Sequence, residues 1–261
     1  MAKAAGWTKF PHPNKSYTYA GAALKKNWGR LHRGDCEPFP ASEAVQEAWR
    51  LFHQGEFQKA ADAGLAAGLD GYNAANKATM IYANYLEPNE EKKLAMFQEI
   101  SGRCEELQKK QPKNANAYYI QAYALGRYSQ GISVIKALTQ GLGGKIKAAL
   151  ETALKLEPKH ADAHIAQGAY HAEVIDKVGG IAGKLTYGAS KDIGGKHFDT
   201  ALELAPDSAI ACIESANGQM LMHGKSRMKD AVALYERAAA CKPVDAMEHL
   251  DVEAAKEELE D

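Results

Sequence analysis

The chain is poor in the features that announce chemistry. It has four cysteines in 261 residues, and none forms a CxxC pair. Cys104, Cys212 and Cys241 sit beside alanine and leucine in helical patterns, where a thiol acts as a small hydrophobe. They read as reduced thiols of a cytoplasmic protein, not as a disulfide framework or zinc site. No run approaches the roughly 18 apolar residues of a membrane span. The start has no apolar stretch behind its first lysine, so no secretory signal is read. Net charge is −1, which gives no global field for nucleic acid or an anionic membrane and leaves only local patches. GxSxG, HExxH and GxGxxG are absent. Gly179–Leu185 is one residue short of a Walker A loop and lacks Ser or Thr after Lys184. Adjacent acids such as Glu105-Glu106 point apart on a helix and form solvated faces.

What is present is a spaced recurrence. Pro112-Lys-Asn-Ala-Asn-Ala-Tyr118, Pro158-Lys-His-Ala-Asp-Ala-His164 and Pro206-Asp-Ser-Ala-Ile-Ala-Cys212 open alike. Successive prolines, ending at Pro243, are separated by 46, 48 and 37 residues. A period of this size implies stacked helix pairs. Helical spacing is nearly continuous from Ser42, a candidate N-cap. Helices are expected over 74–86 and 90–110, with later pairs opening near Ala115, Ala161 and Ala209. Residues 1–41 form an aromatic, proline-rich arm with one helix, expected from Ser16 to His32. Residues 244–261 form a charged C-terminal capping helix.

The pattern over about 42–243 resembles tetratricopeptide (TPR) repeats. Ala231, Tyr235, Ala238 and Pro243 fit the second helix of that repeat, and Gly168 its small close-approach position. Ala48, Gly55, Phe57 and Ala60 fit in the first pair. The resemblance implies an all-α TPR-like superhelix, a right-handed solenoid of about five helix pairs. Two repeats exceed the standard length by roughly a dozen residues. Their inserts, around 130–145 and 178–196, are rich in glycine and lysine. With Ala163-His164-Ile-Ala-Gln-Gly168-Ala-Tyr170 and Gly194-Gly195-Lys196-His197-Phe198, the chain is similar to the TRAP-transporter T-component and to the regulator of microtubule dynamics type of divergent repeat.

Such scaffolds bind with the first helix of each pair. The resemblance thereby implies a concave surface presenting Asn116, Tyr119, Tyr123 and Arg127, then Asp162, Ile165, Ala169 and Glu173, then Ile210, Ile213, Asn217 and Met220. The last set reads equally as core beneath the terminal helix. The expected function is non-enzymatic capture of a peptide, a protein partner or a small ligand, without a cofactor. An alternative is an anion- or metal-binding protein, with or without activity, built on His164, His171, His197 and the insert lysines, Lys184 and Lys191 among them. The competing reading makes those histidines packing residues and those glycines turns.

Overall fold

The computed structural model describes residues 6–260. Residues 1–5 and 261 lie outside them, and with them the first residues of the expected arm and the segment where a leader would begin. The described residues contain fourteen α-helices and no strand. Five pairs build the array: α2 (Glu43–Gln54) with α3 (Phe57–Ala66), α4 (Tyr72–Tyr85) with α5 (Glu90–Lys110), α6 (Ala115–Gln130) with α8 (Leu142–Leu156), α9 (Ala161–Val178) with α11 (Lys191–Leu204), and α12 (Ala209–His223) with α13 (Met228–Ala239). The inserts contribute α7 (Val134–Thr139) and α10 (Gly180–Tyr187). Helix α1 (Ala22–Leu31) lies in the arm, and α14 (Ala246–Glu260) ends the chain.

The recurring phrase now has a local cause. Helices α5, α8 and α11 stop two residues before Pro112, Pro158 and Pro206. Two residues beyond each proline stands an N-cap: Asn114, His160 or Ser208 accepts the backbone N–H of Ala117, Ala163 or Ala211. Each phrase therefore ends one helix, caps the next and fixes the turn between them. Ser42 also occupies an N-cap position, but its side chain makes no capping bond.

Close approach between pairs depends on missing side chains. Phe198 of α11 is wedged between Gly168 of α9 and Gly218 of α12. A Cβ at those glycines would lie 2.7 and 2.2 Å from its ring. Gly168 thus does what the repeat pattern asks of it.

The arm differs from expectation in detail. A continuous helix from Ser16 is not formed. Asn14 caps a short 3-10 turn at Lys15–Thr18, and Tyr19 and Gly21 take positive φ before α1 begins. Trp7 stacks on Tyr82 at 4.2 Å, and Phe10 is buried against Phe57. Trp28 packs on His32, Trp49 and Phe39. The segment His32–Glu37 then runs into the array: Gly34 O accepts the N–H of Asp162 at 2.9 Å, and Lys77 Nζ reaches Asp35 at 2.6 Å.

Helix α14 does more than cover the last pair. Asp245 pairs with His53 of α2 at 2.8 Å, and Tyr85 of α4 donates to Asp251. Tyr17 meets His249 at 3.0 Å, and Arg30 binds both Glu248 and Asp207. The last helix is thereby fastened to the arm and the first two pairs, and the superhelix is closed on itself.

Candidate functional site

The first helices of the pairs face inward, as the repeat geometry requires. The arm loop and α14 occupy part of that concave space. What remains is a cavity of about 770 Å³. Its wall is mainly apolar: Met80 and Ile81 from α4, Leu142, Ile146 and Leu150 from α8, Ile165, Ala166 and Ala169 from α9, and Ile210, Met220 and Leu221 from α12. The inserts complete it with Ile132, Val134, Ala137 and Leu138 on one side and Val178 and Tyr187 on the other. Tyr187 reaches across to α8, where a Cβ on Gly143 would lie 3.0 Å from its ring. Gly141, Gly179 and Gly188 take positive φ at the insert helix ends. Glycine there serves turning and close approach.

Polar groups on the wall are paired. Tyr123 lies beneath the Arg127 guanidinium, 5.2 Å from ring centre to Cζ, and Arg127 binds Glu214 at 2.8 Å. The Tyr123 phenol and the Glu214 carboxylate beside it hold the Arg127 pKa above its ordinary range against burial. Tyr119 packs against Tyr123 and His160, and burial raises its phenol pKa. Asp251 is fully enclosed. Desolvation, only partly offset by the Tyr85 hydrogen bond, pushes its carboxyl up to about 8, so it is protonated at neutral pH. Its free oxygen then carries a hydrogen-bond donor on the cavity wall. Lys77, 3% exposed, sits between Asp35 and Asp162, 3.3 Å from the latter.

The structure brings Tyr119, Tyr123, Arg127, Asp162 and Glu173 together around this cavity. Glu173 accepts from Gln130 at 3.1 Å. Asn116 stands behind them. Its amide donates to Asp35 O and Glu37 and accepts from His160, which anchors the arm loop. Lys184 and Lys191 are exposed and lie outside the cavity wall. Ile165, Ala169, Ile210, Asn217 and Met220 line it, whereas Ile213 is buried with Val252 and Ala255 of α14. The expectation missed Lys77, Tyr85 and Asp251. Lys77 had a signal: it is the one charge in α4, among alanines.

The histidines are committed to hydrogen bonds. His160 Nδ1 accepts the Ala163 N–H, which leaves Nε2–H to donate to Asn116 Oδ1 and fixes a neutral ring. His164 Nε2 donates to Pro158 O, and its Nδ1 lies 2.8 Å from His197 Nδ1, so His197 is the donor of that pair. Burial, then the neighbouring His164 and His171, lowers the His197 pKa to about 4. His171 Nδ1 accepts the Ser190 N–H. Among the described residues no group of three or more His, Cys, Asp or Glu side chains is arranged to hold a metal ion. None of their helices is long and apolar enough to cross a membrane.

No protein-family model and no curated protein matches the chain. A solved structure does: a thermophilic TPR protein of Thermus thermophilus, 16% identical, with a TM-score of 0.57 over 82% of this chain and 97% of that one. At this identity the likeness concerns the fold alone. With the five helix pairs, it makes this chain a TPR-like helical repeat protein.

Proposed function

We propose that the chain is a non-enzymatic binding protein whose partly closed groove holds one elongated, mainly apolar ligand. The observation that carries this reading is the cavity of about 770 Å³, lined by aliphatic side chains along the inserts and by the Tyr85–Asp251 and Arg127–Glu214 pairs elsewhere. This volume suits a single small molecule. The apolar wall would cover an aliphatic body, and the protonated Asp251 would donate to an oxygen on it. A protein segment is the second reading, because the inner face of a TPR-like array is built from exchangeable side chains. The arm loop and α14 lie across that face, so it would enter as a short apolar segment, not as an extended strand running the length of the array. The charges on this wall are tied up in contacts: Arg127 with Glu214, Lys77 with Asp162, and Glu173 with the Gln130 amide.

A dansylated long-chain fatty acid serves as probe. Its fluorescence is expected to rise on binding with one site per chain. Ala169→Trp, which fills the cavity from α9, should weaken binding by about ten-fold or more, the scale of losing one buried aliphatic contact set. Equal binding by Ala169→Trp would sink the groove reading. A short apolar peptide that displaces the probe at lower concentration than unlabelled fatty acid would favour the second reading.

A further inference from the structure

The two inserts carry a surface that the groove does not explain. Six of the ten exposed large apolar side chains among the described residues lie between 134 and 193. Ile135 is 76% exposed, Ile181 82% and Leu185 83%. Ile181 and Leu185 are four residues apart on α10, so they share one helix face, and that face has no protein partner. On α7, Val134 and Leu138 turn partly toward the cavity while Ile135 points away from it.

Within the inserts the charge is mainly positive, with Glu151, Asp176 and Asp192 at their borders. Residues 128–150 and 177–191 contain six lysines and no Asp or Glu, in a chain whose net charge is −1. Lys147 and Lys177 are bonded to Glu151 and Asp176, which flank these stretches. Lys136, Lys145, Lys184 and Lys191 make no ion pair among the described residues. Tyr187 of the second insert packs on Gly143, where the first insert ends, so the two inserts adjoin at one end of the cavity wall.

We propose that this end docks on an anionic lipid bilayer. Isolated apolar side chains on short amphipathic helices, ringed by unpaired lysines, match an interface that is negative at its surface and apolar a few ångströms below it. A protein partner would be expected to meet a broader apolar patch than these separated tips provide. The inserts also form the rim of the cavity, so docking would set that rim against the lipid. The surface stands independently of what the groove holds.

Co-sedimentation of the full chain with phosphatidylcholine vesicles, with and without phosphatidylserine, tests it. Pelleting is expected with phosphatidylserine, little without, and loss at high salt. Lys136→Gln and Lys184→Gln should each weaken partitioning about five-fold. The double variant Ile181→Ser, Leu185→Ser should weaken it about ten-fold or more. Both isoleucine and leucine are solvent-exposed, so an unchanged melting temperature is expected to show that this variant folds. No pelleting by the parent chain, no preference for phosphatidylserine, or equal pelleting by the serine variant would overturn the proposal. So would a dimer in light scattering that the serine variant dissolves, since the patch would then cover a second copy of the chain. The cavity-filling Ala169→Trp chain should still pellet, which separates this surface from the groove.

Discussion

At the scale of single residues, burial decides which charges exist. Asp251 shows the sign. An unfolded aspartate loses its proton near pH 4, whereas in the fold the proton is kept to about pH 8. The native state therefore binds more protons across that window, and stability from this group falls as pH rises through it. Asp251→Asn keeps an acceptor for Tyr85 and removes the titration. Denaturant titrations should find the variant close to the parent near pH 4 and about 2–4 kcal/mol more stable relative to it at pH 8. A parent–variant difference that does not change with pH would contradict the neutral carboxyl. Little of this was legible beforehand: Asp251 reads as one acid among many in a charged helix. Its burial depends on Tyr85, 166 positions away. The TPR resemblance did place Tyr119, Tyr123 and Arg127 on the inner face, because one helix periodicity orders them all.

At the scale of helices, the sequence was most informative where its signal is local. Ala115, Ala161 and Ala209 open their helices as expected, since proline, cap and alanine act within a few residues of one another. The arm was less legible because left-handed Tyr19 ends a stretch whose composition suits a helix. The extra length of two repeats was visible. That it folds as two short helices with unburied apolar faces depends on what packs nearby. Glycines show the same contrast energetically. Gly218→Ala should cost about 1–3 kcal/mol, since its methyl group meets the enclosed Phe198 ring and cannot be accommodated by a surface side chain. Gly102, midway along α5 with open space beside it, should gain about 0.5–1 kcal/mol as alanine. Thermal unfolding of both variants checks the pair, and destabilisation by Gly102→Ala would mean that α5 is more crowded than its surroundings indicate.

Over the whole molecule, closure separates this chain from an open repeat array. In an open solenoid each repeat touches only its neighbours. Here Arg30 joins α1 to Glu248 of α14 and to Asp207, and His53 joins α2 to Asp245. Arg30→Ala leaves Glu248 half of a broken pair and should cost about 1–3 kcal/mol, less than a fully buried pair because Arg30 is partly exposed. Amide exchange localises the effect: α14 should exchange faster while α5, remote from the closure, keeps its protection. Unchanged exchange in α14 would place its attachment elsewhere. Proline spacing carries no information about this arrangement, because the joining contacts span most of the chain.

The attachment of α14 has a consequence for the order in which the protein comes into being. Tyr17 and His249 are 232 positions apart, yet they meet. Met247 and Asp251 line the cavity together with Met80 and Tyr85 of α4 and Tyr119 of α6, helices that precede them by more than a hundred residues. On a ribosome, which releases the chain from its N-terminal end, those earlier helices must wait with their apolar inner face uncovered until residues 246–260 emerge. The cavity is thus the last feature to form, and synthesis itself offers a period when its lining is accessible.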